Sequence, residues 1–189
     1  MIDFLNSLHS VSLIVTVAAA VLLGGLLAWN LYRPSFGFWP AGEEAPIRHH
    51  TAFGLFRIFC GGTVIFALLE IGAHGWGHWS RYVVGVPLMA VAFGITLWGY
   101  KFLGIENTYC ESDGLVTGGM YEYSRNPQYV ADLAILLGFG LLFSSIWAWG
   151  VLEIGIAALA IAPVAEEQGL HEQYGKQYDD YRSETRRFL

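Results

Sequence analysis

Between Asp3 and Arg33 the chain runs for 29 residues without a formal charge. About 20 mostly apolar residues suffice to cross the hydrocarbon core of a bilayer as a helix. The apolar residues are densest over 11–29. A secretory leader needs a basic segment, a shorter apolar core and a small-residue cleavage site. The only charge ahead of this run is Asp3, so the run is expected to remain as a transmembrane helix. Two further runs follow: 51–73, which carries Arg57 and Glu70, and 82–100, which carries no charge. The last apolar stretch, 129–165, would be roughly 55 Å long as one helix at about 1.5 Å per residue. That exceeds a hydrocarbon core of about 30 Å. Gly138, Gly140 and Ser144-Ser145 offer a break, so a hairpin is expected, with a short fourth span to Phe143 and a fifth over 146–165.

The chain is therefore expected to be an all-α integral membrane protein with five transmembrane helices. Its 189 residues form one membrane domain: three spans within 1–100, then a polar loop, the hairpin and a tail within 101–189. With 54% hydrophobic residues against 10 basic and 16 acidic ones, little is left for a separate soluble unit. The net charge of −6 and the lack of a basic cluster exclude nucleic acid as a partner. Cys60 and Cys110 are too isolated for a disulfide framework or a zinc spacing.

Basic residues set orientation, because short cytoplasmic loops carry the excess of Lys and Arg. Five spans put Arg33, Arg48, Lys101, Arg125, Lys176, Arg182, Arg186 and Arg187 on one side and Arg81 on the other, with Arg57 inside a span. The C-terminus and the 102–128 loop are thus expected in the cytoplasm and the N-terminus outside.

That loop has its own turn signals at Ser112-Asp113-Gly114 and Gly118-Gly119. Loops of such length are usually functional or disordered. Leu115, Val116, Met120, Tyr121, Tyr123 and Tyr129 favour burial, and so order. In the tail, Leu170, Tyr174, Tyr178 and Tyr181 recur at steps of four, four and three. An amphipathic helix laid over the loop or the membrane surface is expected; a solvated helix that ends the chain is the alternative.

The segment from Gly114-Leu115-Val116 through Gly119, Tyr121 and Arg125-Asn126-Pro127-Gln128-Tyr129 precedes the hairpin. Glu166-Glu167, Tyr174-Gly175, Tyr178, Tyr181 and Arg187-Phe188 follow it in that order. Over roughly 100–189 this pattern resembles the isoprenylcysteine carboxyl methyltransferase family and its relatives, the phosphatidylethanolamine N-methyltransferases, which are integral membrane methyltransferases. Asn126 stands where the family has histidine, which removes a general base at that position. The chain ends at Leu189, where relatives often continue. The first hundred residues carry no comparable motif, and substrate differences are expected there.

The resemblance implies S-adenosylmethionine as cofactor, with Leu115, Val116, Gly119, Tyr121, Asn126, Tyr129, Glu166 and Glu167 as binding residues and Arg125 and Glu167 flanking the reacting centre. The residue chemistry is compatible. A carboxylate of Glu166 or Glu167 could hold the ribose diol or the ammonium. Arg125 could pair with a carboxylate of the cofactor or an anionic group of the substrate. Tyr121 and Tyr129 offer faces to adenine or the sulfonium, and the amides of 115–119 could read the adenine edge. Such tyrosines equally form interfacial belts. The acceptor is expected to be lipophilic or membrane-embedded: a carboxylate, a thiol or an amine. A nicotinamide-dependent sterol-type reductase and a non-catalytic transporter or scaffold are the competing functions; the acidic loop argues against the 2′-phosphate of the reductase cofactor.

Ionisable residues inside spans default to paired or functional roles. Arg57 is expected to pair with Glu153 or another carboxylate; alternatively some of Arg57, Glu70, Asp132 and Glu153 line a lateral tunnel for an acceptor's polar head. His74 and His78 stand at i, i+4, but their Gly-Trp-Gly-His-Trp setting fits interfacial anchoring better than metal, and His49-His50 is weaker still. No metal site is expected.

Overall fold

The computed structural model describes residues 2–39, 45–74, 79–103, 114–142 and 146–189. Its helices are α1 (Ile2–Tyr32), α2 (Pro46–His74), α3 (Ser80–Leu103), α4 (Pro127–Leu142), α5 (Ile146–Tyr174) and α6 (Lys176–Glu184), with 3-10 turns at Pro34–Phe36 and Gly119–Glu122. No strand occurs among the described residues. Four helices, α1, α2, α3 and α5, are long and apolar enough to cross a membrane. α4 has 16 residues, about 24 Å at about 1.5 Å per residue, short of a core of about 30 Å.

α1 lies between α2 and α5, α3 pairs with α4, and α4 joins the two groups by packing on α5. The core is built where small residues let backbones approach, the usual device where lipid supplies no hydrophobic drive between helices. A Cβ on Gly85 of α3 would lie 3.1 Å from the Gly138 carbonyl of α4, and one on Gly138 would lie 3.2 Å from the Gly85 carbonyl. Gly155 of α5 takes the Phe59 ring of α2 in the same way, and Gly62 of α2 abuts Thr16 of α1. Outward-facing Phe4, Ile14, Leu22, Leu68, Val91, Phe93 and Leu97 are exposed, as a lipid-facing surface requires.

The hairpin forms between Leu142 and Ile146, but Gly138 and Gly140 do not break the helix. Both are buried in α4; a Cβ on Gly140 would lie 2.7 Å from the Trp149 ring of α5. They are glycines because neighbours crowd them. Ser144-Ser145 lie outside the described residues. α5 runs past the expected end at Ala165 to Tyr174, so Glu166 and Glu167 sit on a continuous helix. The tail is two helices rather than one, separated at Gly175, whose φ of +50° suits a residue without a side chain.

Of the charges inside helices, Glu70 is buried and faces His9 Nε2 at 3.4 Å. Arg57 and Glu153 lie on exposed faces of α2 and α5, and Asp132 lines a cavity. Cys60 is exposed. Cys110, His78 and the side chain of His74 fall outside the described residues. His49 and His50 stack on each other edge-on, with His49 against Phe53.

Candidate active site

Two constructions meet at the end of the bundle where α4 begins and α5 ends. The first is a polar clamp that fastens the tail to the loop. The Arg125 N–H donates to the Arg186 carbonyl at 2.8 Å, and Asn126 Nδ2 donates to the Arg187 carbonyl at 3.0 Å. The Arg125 guanidinium donates through Nη1 to the carbonyls of Arg182 at 3.0 Å and Thr185 at 3.1 Å, and through Nη2 to Glu167 Oε1 at 2.8 Å. Arg187 grips the same carboxylate with two parallel bonds, Nε to Oε1 and Nη2 to Oε2, both 2.8 Å. Such forked pairs are the strong form of carboxylate recognition. The hydrogen bonds to Glu167 push the Arg187 guanidinium above its ordinary range, so it stays charged.

Tyrosines complete the clamp. Tyr181 donates its hydroxyl to the Tyr121 carbonyl at 2.6 Å. Burial pushes the Tyr181 phenol up to about 12, with nearby Arg125 opposing. Burial also raises the Tyr121 and Tyr178 phenols, and the negative charges of Glu166 at the first and Glu167 at the second add to it. The tail thus lies over the loop, with Tyr178 wholly buried and Leu170, Tyr174 and Tyr181 half-buried.

The second construction is an open-mouthed cavity of about 110 Å³. Its aromatic wall is Trp39, Phe53, Phe56, Tyr100 and Tyr129; its polar groups are Gln128, Asp132 and Glu166. Tyr129 donates its hydroxyl to Glu166 Oε2 at 3.0 Å. Trp39 packs edge-on against Phe53 with ring centres 5.2 Å apart. It is held there by Asn30 of α1, which donates to the Trp39 carbonyl at 2.8 Å and accepts the Phe38 N–H at 2.7 Å. Gly99 of α3 leaves room for Gln128, whose Cγ would otherwise lie 2.8 Å from a Cβ. The Gln128 Nε2 is buried with no hydrogen-bond partner among the described residues.

Of the residues the sequence singles out, Tyr129 and Glu166 line this cavity, while Arg125, Asn126 and Glu167 belong to the clamp beside it. Leu115, Val116 and Gly119 lie on the loop ahead of α4, with Gly119 over the end of α3. A Cβ on Gly119 would meet the stacked Trp98 and Phe102 rings at 2.8 and 2.9 Å, and the Gly119 N–H is taken by Glu122 at 3.1 Å. Tyr121 is buried beneath Tyr181.

A family model described as phospholipid methyltransferase matches residues 80–177, which hold α3, the loop, the hairpin and Glu166-Glu167. The chain belongs to the phospholipid methyltransferase family. It is also similar to the nickel-cobalt-cadmium resistance protein NccN of Alcaligenes xylosoxydans xylosoxydans, 27% identical over 138 residues that cover 61% of this chain and 64% of that protein. The chain therefore spans just under two thirds of the length of the curated relative it matches. No solved structure matches. The phospholipid methyltransferase match begins at α3, so Asn30, Trp39, Phe53 and Phe56 are contributions to the cavity from outside it. No motif marks them; the only signal in the sequence is an aromatic run, Phe36-Gly37-Phe38-Trp39, next to the end of an apolar helix.

Proposed function

We propose that the protein is an S-adenosylmethionine-dependent methyltransferase acting on a lipophilic acceptor at the cytoplasmic face of a membrane. The observation that carries this is the cavity: two carboxylates and an aromatic wall at the point where the family's loop, hairpin and Glu-Glu pair meet. A sulfonium is attracted by ring faces and by Glu166, and the same carboxylate is an acceptor for hydroxyl or ammonium protons. When bound, the cofactor supplies an electrophilic methyl group; the chain's residues hold the partners in line and keep water out, an effect worth up to about 7 to 11 kcal/mol. Tyr129 and Glu166 are the ligand-facing residues. Arg125, Asn126 and Glu167 act from the clamp beside them, which fixes the loop against α5. Leu115, Val116, Gly119 and Tyr121 shape that loop.

In this reading α4 is a fourth crossing and the helices make five. The ends of α1 and α3, the starts of α2 and α4 and the tail then share one side, with Arg33, Arg48, Lys101, Arg125 and the tail's basic residues, as a cytoplasmic face requires. Arg81 at the start of α3 falls on the other side. The domain is single, with 1–100 giving the apolar half of the cavity.

The test is calorimetric titration of the protein in lipid nanodiscs with S-adenosylhomocysteine. Saturable one-to-one binding, weakened at least 10-fold by Tyr129→Ala, is expected. Absence of binding by folded protein would overturn the reading in favour of a scaffold or a reductase, and a nicotinamide cofactor would be titrated next.

A further inference from the structure

We propose that the turn after α1 holds the phosphate of an anionic lipid between Arg33 and Arg48, as a resident ligand distinct from any acceptor. Neither arginine lines the cavity, and the inference is independent of the methyltransferase reading.

The two cations are set on one rigid element. The Phe36 N–H donates to the Arg33 carbonyl and the Gly37 N–H to the Pro34 carbonyl, both at 2.9 Å, which closes the 3-10 turn over Pro34–Phe36. Such a turn rises about 2.0 Å per residue, so Arg33 and Phe36 are about 6 Å apart along it. Each end carries a guanidinium laid on a ring: Arg33 over Trp29 and Arg48 over Phe36, both 5.7 Å from the ring centre. Phe36 is backed by Phe38, which stacks on it at 6.1 Å and is 2% exposed. Gly37, at φ +57°, leaves the space that Arg48 fills; a Cβ there would lie 3.1 Å from Arg48 Nη1.

Stacking on ring faces is a strength of the planar guanidinium. It also removes in advance much of the rotamer freedom that a long side chain otherwise loses when it binds. Both arginines are exposed, and among the described residues neither forms an ion pair. The clamp differs, since Arg125 and Arg187 are both turned to Glu167.

The surroundings select the ligand. Trp29, Tyr32 and Ile47 are 48%, 75% and 81% exposed where α1 ends and α2 begins, and the last two adjoin the arginines in sequence. Trp and Tyr at the end of a span lie at head-group level. A ligand there meets two forked donors at its head and apolar side chains along its tail. Guanidinium forks match phosphate oxygens in pairs, and basic residues beside a span attract anionic lipid. A zwitterionic lipid also brings an ammonium, which two arginines repel; phosphatidylglycerol brings the negative charge alone.

The turn is tied to the cavity as well. Asn30 accepts the Phe38 N–H and donates to the Trp39 carbonyl. Residues 33–39 are thus one strap, with an arginine at its outer end and Trp39 in the cavity wall at its inner end. A phosphate bridging Arg33 and Arg48 fixes the outer end and steadies Trp39.

The experiment is native mass spectrometry of the full chain in detergent, titrated with phosphatidylglycerol and with phosphatidylcholine of the same acyl chains. One phosphatidylglycerol should bind at least 10-fold more tightly than phosphatidylcholine. The double variant Arg33→Gln, Arg48→Gln should abolish that preference, and Arg33→Lys, Arg48→Lys should recover only part of it. Lys101→Gln with Lys176→Gln removes the same charge from two other exposed positions and should change the affinity less than twofold. In nanodiscs, phosphatidylglycerol should shift the emission of Trp39, read as the difference from Trp39→Phe, to the blue in the wild type and not in the arginine-to-glutamine variant. Millimolar inorganic phosphate should neither displace the lipid nor shift the emission. Equal binding of the two lipids, an equal loss in the lysine variant, displacement by inorganic phosphate or an unshifted Trp39 overturns the proposal. If phosphatidylglycerol binds through Arg33 and Arg48 while S-adenosylhomocysteine binds nowhere, the methyltransferase reading fails and the lipid site stands.

Discussion

Glu166 and Glu167 are adjacent in the chain and face different surroundings. The carboxylate of Glu166 takes the Tyr129 hydroxyl at 3.0 Å and lines the cavity; that of Glu167 is held at 2.8 Å by Arg125 and Arg187 outside it. A helix of about 3.6 residues per turn places neighbours about 100° apart, enough to give one residue to a ligand and the other to the tail.

Glu166→Gln should therefore discriminate by ligand charge. S-adenosylmethionine carries a sulfonium and S-adenosylhomocysteine a neutral thioether, so removing the Glu166 carboxylate should weaken the first at least 10-fold and the second only a few-fold. Parallel calorimetric titrations read the ratio; equal losses would place the sulfonium away from Glu166.

Glu167→Ala should act on the fold. It leaves the Arg125 guanidinium, 8% exposed, and the Arg187 guanidinium, 38% exposed, without their shared carboxylate. Breaking a buried pair by removing one partner costs about 3 to 5 kcal/mol. The exposure of Arg187 reduces this to about 2 to 4 kcal/mol by the same reasoning. A lower midpoint of thermal unfolding and faster proteolysis of the tail beyond Tyr174 are expected. Arg187→Lys keeps the charge but lacks the planar fork, and should recover only part of the stability that Arg187→Ala loses.

The tyrosine bond of the clamp has a pH signature. Tyr181 titrates at about 12 rather than 10.0 because burial disfavours its phenolate. The folded state thus prefers the protonated phenol, so its contribution is complete below pH 10.0 and is lost as the pH rises through about 12. Ultraviolet titration of phenolate should show one late-ionising group fewer in Tyr181→Phe, which should also lose about 1 kcal/mol of stability with the hydrogen bond to Tyr121.

Asn30→Ala should disturb the cavity from a distance. Asn30 is 2% exposed and holds both Phe38 and Trp39 by their backbones. Its loss leaves a buried N–H and a carbonyl unpaired, each worth about 1 to 3 kcal/mol, and frees Trp39. Weaker S-adenosylhomocysteine binding with a red-shifted tryptophan emission is expected; Asn30→Ala with unchanged binding would remove Trp39 from the site.

The helices were legible because long apolar runs with few or no charges have one economical solution in a bilayer, and 11–29, 51–73 and 82–100 each fall inside an observed helix. Gly138 and Gly140 misled because composition does not distinguish a glycine that breaks a helix from one that a neighbouring ring or carbonyl crowds. The family motif carried Tyr129 and Glu166 into the cavity, yet which of the two glutamates would face a ligand depends on the rotation of α5 against α1 and α4. No local pattern records that angle. Trp39 was illegible for another reason: a side-chain bridge from Asn30 to two backbone groups places it, and such a bridge leaves no period in the sequence. The role of Arg187 was likewise hidden, because its partner lies 20 positions away.

The shortness of α4 bears on the membrane itself. In the proposed five-crossing topology its 16 residues would offer a hydrophobic wall of about 24 Å to lipid whose hydrocarbon layer is about 30 Å thick. Where the bilayer thins locally to meet that wall, the cost is fractions of a kcal/mol per Å. Head groups beside α4 are then drawn down toward the level of Gln128 and Asp132, so an amphiphile can present its polar end there without its chain leaving the leaflet. Acyl-chain length in the host bilayer becomes a control on supply, with short-chain lipids favouring access and thick, sterol-rich membranes opposing it.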